Sequence, residues 1–236
     1  RYLKLKRGIS QTPWILENNV RKTETSVQEE ISPLLEKAFR SESVKFHAGG
    51  REDADVLMLG NGRPFVLEFI QPHSIPDNAT IEGIEAKIND SNHKVNVKSV
   101  QICTRDEIAT LDIASREKRK EYCARVITTK PFTKEELSTI FAKLSDIKAV
   151  QKTPVRVLHR RVQMKRTKMV HTLRVKQWIA PNEFDLELVT EAGTYIKEFV
   201  HGDRGRTVPS LGTFLGCETD ILRLDVTNLL DGSTSC

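Results

Sequence analysis

The chain has 236 residues, 38% hydrophobic and 29% charged, a composition that supports a packed core and excludes wholesale disorder. No apolar run reaches the roughly 20 residues that a membrane-spanning helix needs. Four scattered cysteines with no C-x-x-C pair exclude a recognisable zinc ribbon and argue against a disulfide scaffold, which favours a reducing compartment. Lys and Arg outnumber Asp and Glu by 37 to 32, a net charge of +5. The excess is concentrated: Gln151 to Lys176 carries nine Lys/Arg, two His and no acid. Such a stretch marks a surface for a polyanion, or a solvated face that is merely basic. A first residue Arg1, with no charged-then-apolar leader, predicts a chain without a secretory signal, processed or cut from a longer protein. Asn78-Ala79-Thr80 then reads as a chance match to the glycosylation triplet.

In chain order, Ser26-x-x-Glu29 predicts a capping box. Val27, Ile31, Leu34, Leu35, Ala38 and Phe39 follow at helical spacing. Pro33 is expected to disturb that helix, or to restart it with Ser32 as a second cap. Val44 to His47 is a short strand candidate, punctuated by Gly49-Gly50. Ala54 to Leu59 and Phe65 to Ile70 predict a hairpin turning at Gly60-Asn61-Gly62. Ile81 to Asn89 fits a short helix, and Val95 to Cys103 a strand. The charge run Arg116 to Glu121 reads as a loop or helix end before a strand at Tyr122 to Thr128. Thr133-x-x-Glu136 is a second capping box, opening a helix through Leu144. Val155 to Leu158, Met169 to Trp178, Phe184 to Thr190 and Ile221 to Val226 are strand candidates. Gly193 marks a turn into a helix over Thr194 to Val200. The order predicts an α+β fold with a mainly antiparallel sheet. No Gly-rich phosphate loop appears, so nucleoside triphosphate chemistry is not indicated.

Two places could carry chemistry. In Gly50-Arg51-Glu52-Asp53-Ala54-Asp55, three carboxylates and a guanidinium share five residues. If Asp53 to Asp55 is extended, both side chains point to one face. The string also fits a solvated turn with an Arg–Asp bridge. Asp53 and Asp55 with Glu68 could hold Mg²⁺ as in a nuclease. The second place is Ala192-Gly193-Thr194-Tyr195-Ile196-Lys197, followed by His201 to Thr207, where an aromatic ring and a cation sit close together. Tyr195, like Tyr122, is equally readable as a packing residue.

Gly50-Arg51-Glu52-Asp53 resembles the Gly-Arg-x-Asp form of the pseudouridine synthase catalytic motif. Gly193-Thr194-Tyr195-Ile196-Lys197 is similar to a second motif of that superfamily. The longer strings Gly50 to Val56, Gly60 to Phe65, Gln151 to Arg161 and Tyr195 to Thr207 resemble the archaeal and eukaryotic tRNA pseudouridine synthase family ten. Arg1 to Lys4 and Gln11 to Ile15 match the start of its catalytic domain. The resemblance covers Arg1 to about Val226.

It implies an α+β catalytic domain, with room for two subdomains sharing one largely antiparallel sheet flanked by helices, and an N-terminal accessory RNA-binding domain absent from this chain. It also implies isomerisation of uridine at position 54, position 55 or both of the tRNA TΨC arm, with neither cofactor nor metal. Asp53 takes the place of the catalytic aspartate, acting at the ribose as nucleophile or base. Arg51, Tyr122, Tyr195, Lys197 and Leu215 take substrate-binding roles: Arg51 or Lys197 as partner charge, Tyr122 stacking on the base, Tyr195 flooring the pocket and Leu215 packing against it. Arg156, Arg160, Arg161, Lys165, Arg166 and Lys168 are expected to meet tRNA phosphates. Leu57 stands where the family usually has Arg. The expected partner is tRNA, with no membrane and no nucleotide cofactor. The expected state is a monomer in the nucleus, the cytoplasm or both. The alternatives are a non-catalytic RNA-binding module and the Mg²⁺ nuclease.

Overall fold

The computed structural model describes residues 1–91, 93–104, 106–108, 119–159 and 161–230. The chain divides into two compact units, Arg1–Arg116 and Glu117–Cys236. The fold is α+β and its sheets are largely antiparallel. Every strand ladder named below is antiparallel. No described helix is long and apolar enough to cross a membrane.

In the first unit, β1 (Tyr2–Lys4) lies between β3 (Leu57–Arg63) and β5 (Val95–Val97). A separate pair joins β2 (Ser43–Ala48) to β4 (Phe65–Ile70). Helix α1 (Val27–Phe39) starts at the predicted cap: Ser26 Oγ accepts from the Glu29 amide at 3.3 Å and donates to the Glu29 carboxylate at 2.7 Å. It runs through Pro33 as one helix, and Ser32 is buried within it rather than capping a second one. Burial of Val27, Ile31 and Leu35 along one face offsets the missing proline N–H, a loss of about 3 kcal/mol in an interior turn. Helix α2 (Asn78–Ser91) begins earlier than predicted, because the Asp77 carboxylate accepts from the Thr80 amide at 2.8 Å. Strand β5 stops at Val97, well short of Cys103. Ser99 has φ +53°, and the amides of Ser99 and Val100 turn to the Glu85 carboxylate.

The predicted hairpin does not form. Gly60-Asn61-Gly62 lies inside β3, and β3 and β4 pair with different strands. Tyr2 faces Arg63 while Lys4 faces Met58, so two residue steps on β1 oppose five on β3. The glycines absorb this bulge. Gly62 has φ +71°, and a Cβ there would lie 2.6 Å from the Tyr2 carbonyl oxygen.

The second unit is a six-stranded antiparallel array in the order β10 (Thr207–Val208), β7 (Ser145–Lys152), β8 (Lys165–Ala180), β9 (Glu183–Thr190), β6 (Arg119–Thr128), β11 (Thr219–Leu230). Helix α3 (Lys134–Ala142) packs on β8, and its reciprocal Thr133–Glu136 capping box is in place. Of the charge run, Arg119, Lys120 and Glu121 open β6 instead of forming a loop, while residues 116–118 lie outside the described residues. Val155–Val157 is a 3₁₀ turn following Pro154, not a strand. The strand of this region is β7, just before it. Two short helices complete the unit, α4 (Ile196–His201) and α5 (Leu211–Leu215).

Candidate active site

Asp53 sits in a turn between β2 and β3 whose main chain is held from several directions. The Val56 amide donates to the Asp53 carbonyl at 3.1 Å, closing the turn, so Asp53 to Asp55 is not extended and its carboxylates do not share a strand face. Glu52 points inward and is buried. Its carboxylate accepts from Arg63 Nε at 2.7 Å and from the Tyr2 hydroxyl at 2.8 Å. Arg63, 1% exposed, also donates to the Gly49 carbonyl at 2.7 Å. Gln11 Nε2 reaches both the Tyr2 oxygen and the Gly50 carbonyl at 2.9 Å. The Tyr2 ring packs at a tilt against the stacked pair Phe46 and Phe65, 6.1 and 6.0 Å from their centroids, which lie 5.7 Å apart. Burial, with the Glu52 charge second, pushes the Tyr2 phenol well above its usual range. Asp53 itself is half-buried and Arg51 is exposed.

Three successive carbonyls of the turn face the N-terminal segment. Lys4 Nζ donates to Asp53 O at 2.8 Å and Ala54 O at 3.2 Å, and also to Ile9 O at 3.2 Å. The Gly8 amide donates to Ala54 O at 2.9 Å, and Arg7 Nη1 to Asp55 O at 2.7 Å. Lys4 is fully buried. Desolvation pulls its ammonium below the ordinary lysine value, opposed by the charges of Glu52, Asp55 and Asp53.

The nuclease alternative loses its ligand set. Among the described residues no three His, Cys, Asp or Glu side chains gather to hold a metal ion. Glu68 instead pairs with His47 at 3.0 Å across β2 and β4. An apolar cavity of about 460 Å³ in this unit, lined by Phe39, Phe69, Ile75 and Ile102, does not have Asp53 in its walls.

The other predicted residues belong to the second unit. Tyr195 caps α4 and is half-buried. The buried Gln151 side chain holds its main chain in both directions: Tyr195 N donates to Oε1, and Nε2 donates to Tyr195 O, each at 2.9 Å. Lys197 lies in the first turn of α4. Tyr122 is the fourth residue of β6, registered against Leu188 and Val226 and 8% exposed. Leu215, 4% exposed, is packed in α5. After α4, Gly202 to Gly205 all have positive φ. Asp203 anchors that left-handed run by accepting from the Val155 amide at 3.2 Å, and Arg206 donates to Thr153 O at 2.8 Å.

The basic stretch is less free than its sequence implies. Arg156 is committed to the buried Glu198 at 2.7 Å, and Lys168 to Glu191 at 2.7 Å. Arg174 pairs with Glu187. Each of these acids lies outside the stretch, on β9, α4 or the loop between them. Arg161, Lys165 and Arg166 are exposed. Arg160 lies outside the described residues. The residues that sequence reasoning left without a role are Lys4, Glu52, Arg63 and Gln151. Each falls within a string that carried the resemblance, and that was the signal available.

A model of the family described as "Pus10, C-terminal" matches residues 1–230. The chain belongs to this family. It is 44% identical over 227 residues to the tRNA pseudouridine synthase Pus10 of Homo sapiens, covering 96% of this chain and 42% of that protein. Against the tRNA pseudouridine synthase Pus10 of Thermofilum pendens (strain DSM 2475 / Hrk 5), identity is 41% over 231 residues, covering 97% and 51%. The chain therefore spans about half the length of the curated Pus10 relatives it matches. A chain in a crystal structure of a Cbf5-Nop10-Gar1 complex shares the fold with a TM-score of 0.51 at 16% identity, covering 98% of this chain and 50% of that one.

Proposed function

We propose that this chain is the catalytic part of a tRNA pseudouridine synthase, isomerising uridine at position 54, position 55 or both of the TΨC arm, with Asp53 as its essential carboxylate. The observation that carries the reading is the Asp53 turn. Its main chain is pinned by buried charges, while the neighbouring acid Glu52 is turned inward and neutralised. A purely solvated turn gives no reason for so much buried polar structure, whereas a reacting carboxylate that must meet a sugar carbon at a fixed angle does.

The reaction breaks the C1′–N1 bond, turns the base and forms C1′–C5. C5 loses its proton and N1 gains one, so the product is an isomer and neither electrons nor groups are exchanged. Asp53 acts at the ribose as nucleophile or base. Arg51, Tyr122, Tyr195, Lys197 and Leu215 are assigned to substrate binding. The uridine must leave its stack at a cost of roughly a few kcal/mol, drawn from binding. Exposed Arg161, Lys165 and Arg166 are assigned to phosphates, which contribute affinity without reading sequence.

The test is incubation of unmodified tRNA with the full-length protein, followed by carbodiimide mapping of pseudouridine. Product at position 54 or 55 with wild type, none with Asp53→Ala, and unchanged RNA length in chelator is the expected result. Binding with no product from wild type would make the chain an RNA-binding module instead.

A further inference from the structure

Lys4 lies 49 positions from Asp53, in the strand whose Tyr2 hydroxyl also meets Glu52, and its side chain is fully buried. An ammonium has three protons to donate. Here all three have main-chain acceptors, and two of those are the carbonyls of Asp53 and Ala54. Burying a cation against neutral carbonyls costs more than burying a methionine of similar length, so fold stability alone does not account for it. The arrangement is also part of a pattern. Arg7 and Gly8 hold the carbonyls of Asp55 and Ala54, so one short segment grips three consecutive peptide units beneath the reacting residue.

We infer that Lys4, assisted by Arg7, is a positioning residue for the Asp53 carboxylate: the segment Lys4–Gly8 fixes the peptide planes from which that side chain projects. The inference rests on the reading of Asp53 as the reacting carboxylate. Lys4 touches only main-chain oxygens, so its removal should alter the aim of Asp53 and leave the tRNA-binding surface as it is. A misplacement of about 1 Å at a reacting group costs up to about 100-fold in rate.

The experiment measures single-turnover pseudouridine formation with the full-length protein in excess, beside tRNA affinity and binding stoichiometry, for wild type, Lys4→Met and Arg7→Met. Lys4→Met is expected to slow the rate constant by about 10- to 100-fold, with affinity within about twofold of wild type and unchanged stoichiometry. Arg7 is half-buried where Lys4 is fully enclosed, so Arg7→Met is the milder change to the fold and is expected to slow the same step by a smaller factor. If Lys4→Met fails to fold, Arg7→Met decides alone. Either variant reacting at the wild-type rate while folded, or losing affinity in step with rate, overturns the inference. Absence of product from wild type overturns the reading of Asp53 instead, and the two failures are distinct.

Discussion

The Asp53 turn and the start of α4 at Tyr195 are both held by side chains reaching from distant strands, but by opposite means. The first uses buried charge: the Lys4 ammonium on carbonyls and the Glu52–Arg63 pair, both sealed from water. The second uses one neutral amide, Gln151, which meets the Tyr195 N–H and C=O as a neighbouring strand would. Charged anchors are rigid and barely screened by salt, but a broken one leaves an ion stranded in a low dielectric. A neutral amide gives less and loses less. The two sites should therefore respond very differently to the removal of a single partner.

The largest effect is expected from Arg63→Met, which strands the Glu52 carboxylate. It should cost about 3–5 kcal/mol in denaturant unfolding, while the paired replacement Glu52→Gln with Arg63→Met recovers part of that loss. Gln151→Ala leaves the Tyr195 N–H without its acceptor, while the Tyr195 C=O keeps the Phe199 amide at 2.9 Å, and should cost about 1–3 kcal/mol. A comparable loss from both sites would erase the distinction. Arg156→Ala belongs with the charged class, because Glu198 is buried and one of its oxygens already has no hydrogen-bond partner. It should lower stability while leaving the salt dependence of tRNA binding nearly unchanged. Lys165→Ala or Arg166→Ala should do the reverse, each reducing the slope of log affinity against log salt by about one. The smallest effect concerns pH. Burial raises the Glu191 carboxyl, but Lys168 and the Met169 amide outweigh it and hold it below the ordinary glutamate value. A carboxyl depressed on folding stabilises the fold above its unfolded pKa near 4.5, and that contribution fades as pH falls through the folded value. Glu191→Gln should therefore flatten the stability profile below about pH 4.5, a change readable by thermal melts across acid buffers.

Local features were legible in the sequence. The Ser26 and Thr133 caps need only three residues of context, and both start helices where the pattern placed them. Gly60-Asn61-Gly62 misled because its turn chemistry is local, whereas its true cause, the close passage of Tyr2, comes from 60 residues away. Strand β7 was hidden by Asp146 at φ +47° and by a buried polar residue, Gln151, at an inward position where periodicity expects an apolar side chain. Arg156 looked free because its partner Glu198 lies 42 residues on. The Asp53 motif was recognisable as a string. Its supports were not, since no hydropathy pattern announces that Lys4 and Arg63 are interior residues.

Glu52 and Asp53 are adjacent acids with opposite surroundings, one locked in an ion pair and the other partly open to solvent. A reagent that amidates accessible carboxyl groups should therefore discriminate between two neighbours differing by a single methylene. Mass spectrometry of the labelled peptide would then report, from one fragment, whether the outer acid is reachable, with the inner acid as an internal standard for the intact fold.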